Sequence, residues 1–270
     1  MQLIVSRQNL GEWAARFIQT RAEAFAPRTN KPFVLGLPTG STVLDLYACL
    51  CRDYQNARLD VSHWMTFNMD EYVGLSPQDP QSYHYYMQTN LFDRVHFRPG
   101  YTHILNGQAA DLSAECEQYE WTIARAGGIE LFIGGVGRNG HLAFNEPGSS
   151  FTSRTRPITL TPSTRQANAR FFGGNSSRVP AQALTVGIGT ILAARELLFL
   201  ASGSSKATAV ARLALGEITP NWPITALKTH PHAILLVDEA ATAELTGPAA
   251  YQLQQAREKS PKNDTWTVEL

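Results

Sequence analysis

The chain has 270 residues, of which 43% are hydrophobic, so it is long enough to bury one large core. Lys+Arg and Asp+Glu are balanced at 23 each, which argues against a basic surface for nucleic acid and favours a small substrate. No stretch approaches the roughly 20 apolar residues of a membrane span or resembles a signal segment, so we expect one cytoplasmic domain over residues 1–270 with no membrane or nucleic-acid partner.

Apolar runs alternate with amphipathic segments along the chain. The amphipathic pattern predicts helices at Leu10–Phe25, Val43–Tyr54, Leu112–Ala126 and Ser205–Leu215. Short runs rich in β-branched and aromatic residues predict strands buried on both faces at Phe33–Leu37, Trp64–Phe67, Ile129–Ile133, Leu184–Ile188, Leu197–Ala201 and Ala233–Val237. This alternation favours an α/β fold with a mainly parallel sheet covered on both faces, and with ligands beyond the carboxyl ends of its strands.

Two stretches break the pattern. Residues 149–180 are rich in Ser, Thr, Arg, Asn and Gly, which indicates a lid or secondary structure that the pattern does not reveal. The polar tail Glu258–Leu270 is expected to fray. The cysteines Cys49, Cys51 and Cys116 lack the spacing of a disulfide framework or a zinc site, and no other cluster of metal ligands is visible, so we expect no metal and no organic cofactor.

A glycine-rich turn follows the first of the predicted strands. Gly36-Leu-Pro-Thr-Gly-Ser-Thr42 leads into a helix near Val43, where backbone N–H groups, hydroxyls and the helix dipole favour an anion. The turn lacks the Gly-Lys-Ser/Thr ending of a nucleotide-binding P-loop. Alone it is weak evidence for a site, since Ser41 or Thr42 could simply cap the helix.

The second motif, Phe67-Asn-Met-Asp-Glu-Tyr-Val-Gly74, carries two adjacent carboxylates directly after a strand. Asp70 and Glu71 should therefore lie at the carboxyl edge of the sheet, where an α/β enzyme places a general base. Taken alone, such a pair is more often a solvated strand end, and its position after the strand is what favours catalysis.

The third motif, Ile133-Gly-Gly-Val-Gly-Arg-Asn-Gly-His-Leu-Ala-Phe-Asn-Glu-Pro147, is the most specific. Its glycines allow close approach to a ligand, and His141 lies between Asn139 and Glu146, as a proton shuttle whose neighbours set its tautomer would. A dinucleotide-binding loop with an incidental histidine is the alternative, but the third glycine of that fingerprint is missing.

Two cations further along the chain suit a phosphate. Arg170 lies in Asn168-Ala-Arg-Phe-Phe172, and Lys206 ends Gly203-Ser-Ser-Lys206 directly after a strand. Each alone is most often an ordinary surface cation. Together with the Gly40–Thr42 turn they would complete a phosphate-binding site.

At these residues the chain resembles the glucosamine-6-phosphate deaminases. The resemblance rests on Gly36–Gly40, Phe67–Gly74, Gly134–Pro147, Ser153–Arg156, Ala169–Phe172, Ala183–Gly187 and Gly203–Lys206, in the family's order over about residues 30–240. It implies a Rossmann-like three-layer α/β fold and the conversion of glucosamine 6-phosphate and water to fructose 6-phosphate and ammonia.

The resemblance also implies roles for single residues. His141 would open the sugar ring, with Asn139 and Glu146 orienting it, and Asp70 would move a proton from C2 to C1. The phosphate ligands would be Gly40, Ser41, Thr42, Arg170 and Lys206. Enteric-type members carry an aspartate where this chain has Asn139, and an amide cannot raise the imidazole pKa through charge, so an altered pH profile is expected.

Enteric-type members also bind N-acetylglucosamine 6-phosphate as an activator at a subunit interface. The residues that match or lie beside that site are Ser149, Arg156, Thr159 and Tyr251. Its lysine is replaced by Ile158, which removes a charge-assisted contact worth roughly 1.5 to 3 kcal/mol. The resemblance therefore predicts weak or absent activation. It favours a homo-oligomer, a hexamer first, and leaves a monomer open.

Two other functions fit parts of the pattern. A 6-phosphogluconolactonase shares the fold and the phosphate site but needs a base that activates water, which the Asn-Met-Asp-Glu segment and the intact His141 loop do not favour. A sugar-phosphate sensor without chemistry would be expected to lack Asp70 or His141, and both are present.

Overall fold

The computed structural model describes residues 1–25 and 31–270, and it contains two sheets. The strands are β1 (Gln2–Ser6), β2 (Phe33–Leu37), β3 (Trp64–Asn68), β4 (Asp70–Tyr72), β5 (Thr102–His103), β6 (Leu131–Gly135), β7 (Arg156–Thr159), β8 (Gln182–Thr185), β9 (Glu196–Ala201), β10 (Ala233–Asp238) and β11 (Thr265–Glu269). The main sheet has the order β11-β1-β10-β9-β6-β2-β3-β5, and a smaller one has the order β4-β8-β7. Every neighbouring pair of the main sheet is parallel except β1 and β11.

Helices cover both faces of the main sheet. They are α1 (Leu10–Phe25), α2 (Leu44–Gln55), α3 (Tyr83–Met87), α4 (Leu112–Arg125), α5 (Pro162–Asn168), α6 (Ile188–Leu192), α7 (Ala207–Leu215) and α8 (Gly247–Lys259). One apolar core lies between the sheet and α1, α2 and α3, and the other between the sheet and α4, α6, α7 and α8. The predicted α/β fold, with helices on both faces of a mainly parallel sheet, is confirmed.

The strand order reverses between β2 and β6. From β2 the chain continues to β3 and β5 on one side, and from β6 it continues to β9 and β10 on the other. Loops that leave the carboxyl ends of β2 and β6 therefore diverge to opposite faces and open a crevice between them. Open α/β sheets bind their ligands at this kind of point.

One strand that was predicted for the main sheet belongs instead to the smaller sheet. The run Leu184–Ile188 contributes to β8, which pairs antiparallel with β4 and β7, and Ile188 begins α6. Ala183 and Leu184 are buried because β8 is packed between a small aromatic core and the main one. The apolar run therefore reflects the burial of β8 on both faces, although β8 is not a strand of the main sheet.

The polar tail is also ordered, contrary to expectation. Residues Thr265–Glu269 form β11, which pairs antiparallel with β1 along its whole length. Trp266 and Val268 are buried while Thr267 and Glu269 are exposed, the period-2 alternation of an edge strand with one covered face. Within residues 149–180 the structure shows β7, α5 and short helical turns, so this stretch is not an unstructured loop.

The next features concern membrane spans, metal sites and cysteines. Among residues 1–25 and 31–270, no helix is both long and apolar enough to cross a bilayer. In the same ranges no group of three or more His, Cys, Asp or Glu side chains is arranged to hold a metal ion. Cys49, Cys51 and Cys116 are free and buried.

Candidate active site

Four loops meet at the carboxyl ends of neighbouring strands. They follow β9, β6, β2 and β3, which are adjacent in that order. In the same order they carry the Gly203–Lys206 turn, the Gly134–Pro147 motif, the Gly36–Thr42 turn and the Phe67–Gly74 motif. The fold thus brings the predicted catalytic and phosphate-binding motifs to one edge of the sheet. The geometry within each loop decides what each side chain can do.

The loop after β6 is built around the ring of His141. A Cβ atom on Gly137 would lie 2.3 Å from that ring, so only glycine allows the imidazole to pack on the backbone there. Gly137 N–H donates to the His141 carbonyl at 2.9 Å, and Val136 bridges Leu142, so the loop folds back on itself. Ala143 has a φ of 52°, a left-handed conformation that such a tight return imposes.

Not every glycine of this motif serves ligand approach. A Cβ atom on Gly134 would lie 2.1 Å from the Phe199 ring, so this residue is glycine because β6 and β9 pack closely. Gly135 has open space around its Cα atom. The motif therefore combines positions where close packing requires glycine with one where an added side chain would meet no neighbour.

A chain of hydrogen bonds fixes the orientation of His141. Asn139 Nδ2 donates to Glu146 Oε2 at 2.8 Å, and this contact requires nitrogen at that end of the amide. Asn139 Oδ1 must then face His141 Nδ1, which lies 2.7 Å away and donates to it. The neutral ring consequently carries its proton on Nδ1 and a lone pair on Nε2, as an acceptor of a substrate proton needs.

Electrostatics keep this imidazole neutral. Burial lowers the pKa of His141, the negative charge of Glu146 opposes that change, and the positive charge of Lys206 lowers the pKa further. Glu146 Oε1 lies 3.9 Å from His141 Nδ1, so its charge acts on the ring directly, whereas its hydrogen bonding reaches the ring through Asn139. A neutral base at physiological pH is the result.

The two carboxylates after β3 have different surroundings. Glu71 accepts hydrogen bonds from the backbone N–H groups of Tyr72, Tyr83 and His84 and from the His84 ring, at 2.7 to 3.0 Å. Since Tyr83 and His84 begin α3, Glu71 caps that helix and has no lone pair to spare for a substrate. Its role is structural.

Asp70 has no such partners. It is 5% exposed, and its Oδ1 atom is buried without a hydrogen-bond donor among the described residues. Burial raises the pKa of Asp70 well above its usual value, and the neighbouring charge of Glu71 raises it further. A carboxylate that is destabilised in this way is a stronger base than an exposed one.

Two similar turns face the crevice from β2 and β9. Gly40 has φ 105° and Gly203 has φ 85°, and each is followed by one turn of 3-10 helix that leads into α2 or α7. At the start of a helix the first N–H groups have no partner within the helix, so both turns present donors. Ser41, Thr42 and Lys206 lie in these turns.

The cations at this end of the sheet lack carboxylate partners. Burial lowers the pKa of Lys206, and the nearby guanidinium groups of Arg138 and Arg170 lower it further. In the described part of the chain, none of these three side chains forms a salt bridge. Arg138 carries no signal of its own in the sequence, because only its proximity to Lys206 in the fold distinguishes it.

The residues that resemble an activator site lie on separate elements. Arg156 and Thr159 belong to β7, Ser149 lies in the turn before it, and Tyr251 is 64% exposed on α8. Arg156 Nη1 donates to Asn145 Oδ1 at 2.9 Å, and burial lowers its pKa.

The chain is similar to known proteins along most of its length. A profile of the family described as glucosamine-6-phosphate isomerases/6-phosphogluconolactonase matches residues 6–236. A protein from Porphyromonas gingivalis named glucosamine-6-phosphate deaminase is 50% identical to this chain over 247 residues, which cover 91% of this chain and 94% of that protein.

Solved structures show the same relationship. A monomeric glucosamine-6-phosphate deaminase superposes with a TM-score of 0.85 at 41% identity, over 90% of this chain and 99% of that one. A 6-phosphogluconolactonase from Trypanosoma cruzi superposes with a TM-score of 0.74 over 91% of this chain and 97% of that one. Its identity is 19%, so it shares the fold and supports no statement about activity.

Proposed function

Because the chain belongs to the family of glucosamine-6-phosphate isomerases and 6-phosphogluconolactonases, we propose that it converts glucosamine 6-phosphate and water to fructose 6-phosphate and ammonia. The observation that carries this proposal is that two different bases lie at the same edge of the sheet. Among the described residues, the Nε2 atom of the neutral His141 imidazole has no hydrogen-bond partner, and the buried Asp70 carboxylate has one unpartnered oxygen. The reaction needs one base for an oxygen-bound proton and another for a carbon-bound proton.

Ring opening is the work of His141. Its Nε2 atom accepts the proton of the C1 hydroxyl and gives a proton to the ring oxygen, so the bond between C1 and that oxygen breaks. The product is the open-chain amino aldehyde, with no net change in protons. The Asn139 and Glu146 contacts support this role because they hold the Nδ1 proton away from the substrate.

Isomerisation is the work of Asp70. The carboxylate removes the proton from C2 to form an enolamine and returns it at C1, which leaves an imine at C2. Water adds to that carbon, ammonia leaves, and fructose 6-phosphate remains. The raised pKa of Asp70 supports the assignment, because a carbon acid requires a stronger base than an exposed carboxylate.

The phosphate is bound by the two glycine turns and three cations. Gly40, Ser41 and Thr42 supply backbone donors and hydroxyls, while Lys206 and Arg170 supply charge. Arg138 adds a third cation to the set. The absence of carboxylate partners for these cations among the described residues supports a dianionic ligand.

A single assay tests the function. Purified protein is incubated with glucosamine 6-phosphate, and ammonia and fructose 6-phosphate are measured separately by coupled enzymes. Equal amounts of both products are expected, together with no hydrolysis of 6-phosphogluconolactone. Lactone hydrolysis without ammonia would make the chain a lactonase, and binding without turnover would make it a sensor.

Regulation and assembly are part of the proposal. Activation by N-acetylglucosamine 6-phosphate is weak or absent, because Ile158 packs against the small aromatic core around Tyr72, where a lysine would have to turn outward. A homo-oligomer is expected. Velocity curves with and without the activator test the first statement, and light scattering tests the second; a sigmoidal curve that the activator makes hyperbolic would contradict weak activation.

A further inference from the structure

The short helix α5 has an unusual attachment to the rest of the molecule. It spans Pro162–Asn168, is capped by the Thr161 hydroxyl, and contains no buried residue. Most surface helices are held by a buried apolar face, and α5 has none. Its own side chains therefore hold it against the body through polar contacts, which are weaker individually.

One of these contacts reaches the catalytic loop. The Thr164 hydroxyl accepts a hydrogen bond from Thr161 at 2.9 Å and donates to Glu146 Oε1. The other Glu146 oxygen accepts from Asn139, which in turn accepts from His141. A continuous series of hydrogen bonds thus runs from the first turn of α5 to the imidazole.

The far end of α5 reaches the two other parts of the site. Asn168 Nδ2 donates to the Tyr72 hydroxyl at 3.0 Å, and Tyr72 follows Asp70 on β4 by two residues. Arg170 lies two residues beyond the end of α5 and is close enough to Lys206 to lower its pKa; its guanidinium lies 4.6 Å above the exposed Phe171 ring. A phosphate held by Arg170 and Lys206 would add an ionic contact at the end of α5.

We propose that Thr164 is a positioning residue for His141. When α5 is packed against the body of the protein, Thr164 orients the imidazole through its hydrogen bond to Glu146 and the bond from Asn139 to Glu146. This rests on the proposed function, since it assigns a role within the same reaction. Thr164 touches no reacting atom. It occupies the oxygen of Glu146 that lies 3.9 Å from His141 Nδ1.

The geometry explains why that oxygen matters. Without the Thr164 hydroxyl, Glu146 Oε1 would have a free lone pair near Nδ1–H and would compete with Asn139 for that proton. The imidazole would then turn toward Glu146, and its Nε2 atom would move from the substrate. A bound phosphate favours docked α5 and thereby the productive ring orientation, which links substrate recognition to ring opening.

Kinetics of three variants test the proposal. Thr164→Val keeps the shape and removes the hydroxyl; kcat should fall about tenfold, as for loss of one hydrogen bond to a charged group, with KM changed much less. Thr164→Ser should restore kcat. Gln166→Ala, an exposed α5 residue without a side-chain hydrogen bond in the structure, is the matched control and should behave as wild type. A change confined to KM would overturn the proposal.

A second measurement does not depend on turnover. Imidazole nitrogen NMR of the ligand-free protein should show His141 with its proton on Nδ1, and Thr164→Val should shift that signal while thermal unfolding stays cooperative. In a Glu146→Gln background, Thr164→Val should have no further effect on kcat. An unchanged His141 signal, a proton on Nε2 in the wild type, or additive effects would each reject the role. Absence of ammonia release by the wild type would instead reject the proposed function.

Discussion

Charged side chains are paired at the amino ends of the main-sheet strands, whereas several at the carboxyl ends have no opposite charge beside them. At the amino ends Arg21 forms two hydrogen bonds to Glu196, at 2.7 and 2.8 Å, and Arg195 pairs with Glu130 at 2.9 Å. At the carboxyl ends Asp70 and Lys206 have no such partner in the described ranges. Both ends carry charge, so composition does not distinguish them.

The difference shows which charges the fold retains for a ligand. An unpaired buried charge lowers the free energy of unfolding, so its presence needs a compensating use. Glu71 makes the point within one motif, because it lies beside Asp70 and yet accepts four hydrogen bonds from α3 and its own neighbour. Pairing, more than position, separates Glu71 from Asp70, the proposed base.

The largest expected effect concerns the unpaired carboxylate. Asp70→Asn removes the proposed base for C2 while keeping the shape, so kcat for deamination should fall by about a thousandfold or more. The matched control at the paired end is Glu196→Gln, which should leave kcat within about twofold, because exposed ion pairs contribute little. Steady-state ammonia release measures both. Similar losses of kcat in Asp70→Asn and Glu196→Gln would contradict the contrast between the carboxyl and amino ends of the strands.

The unpaired cations should have the next largest effect. Lys206→Ala should raise KM for glucosamine 6-phosphate about tenfold to a hundredfold, since a hydrogen bond to a charged group contributes roughly 1.5 to 3 kcal/mol. Arg138→Ala should raise it less, because that side chain is exposed. Arg195→Ala, which removes a cation of the paired end, should leave KM unchanged. An equal rise in KM for Arg195→Ala would show that net charge, and not the site, attracts the phosphate.

Introducing a charge beside His141 should have a smaller effect that depends on pH. In Asn139→Asp the new carboxylate would face Glu146, to which the amide now donates at 2.8 Å, and would also lie beside the imidazole. A nearby negative charge raises the pKa of His141, so the acid limb of the kcat profile should move up by about one pH unit. Asn263→Asp adds the same charge in the exposed tail and should move nothing. An unmoved limb in Asn139→Asp would show that residue 139 does not tune His141.

Sequence patterns predicted the central strands well because these are buried on both faces. Runs such as Phe33–Leu37 and Ala233–Val237 lie within β2 and β10 as predicted. β8 gave the same signal although it belongs to the small sheet, because an apolar run reports burial and not the identity of the neighbouring strand. β11 was missed because an edge strand buries only alternate side chains.

The motifs of the candidate site could be predicted from the sequence, but the contacts between their side chains could not. The motif alone does not distinguish Asp70 from Glu71; the family resemblance points to Asp70, and in the structure the N–H groups of α3, a dozen residues later, satisfy Glu71. Thr164 and Arg138 are equally invisible, since their significance lies in proximity to Glu146 and Lys206. Local patterns report strands and turns, whereas these pairings depend on how distant segments pack.

The burial of Asp70 without a partner among the described residues should also make the free energy of unfolding depend on pH. Burial raises the pKa of the folded-state Asp70 carboxyl well above its unfolded value, so between those two values the unfolded chain ionises first. Stability is therefore lost as pH rises through that interval, and the loss is complete above the folded-state pKa. Below about pH 3 both states are protonated and the effect vanishes.

Asp70→Asn should accordingly raise the free energy of unfolding at pH 8, with no gain at about pH 3 or below. Urea unfolding at both pH values measures this, and Asp264→Asn, at an exposed residue, serves as the control. A gain that did not depend on pH would point to packing and not to charge. A loss at pH 8 would mean that a donor in solution satisfies the carboxylate, and the contrast between the two ends of the sheet would then not extend to stability.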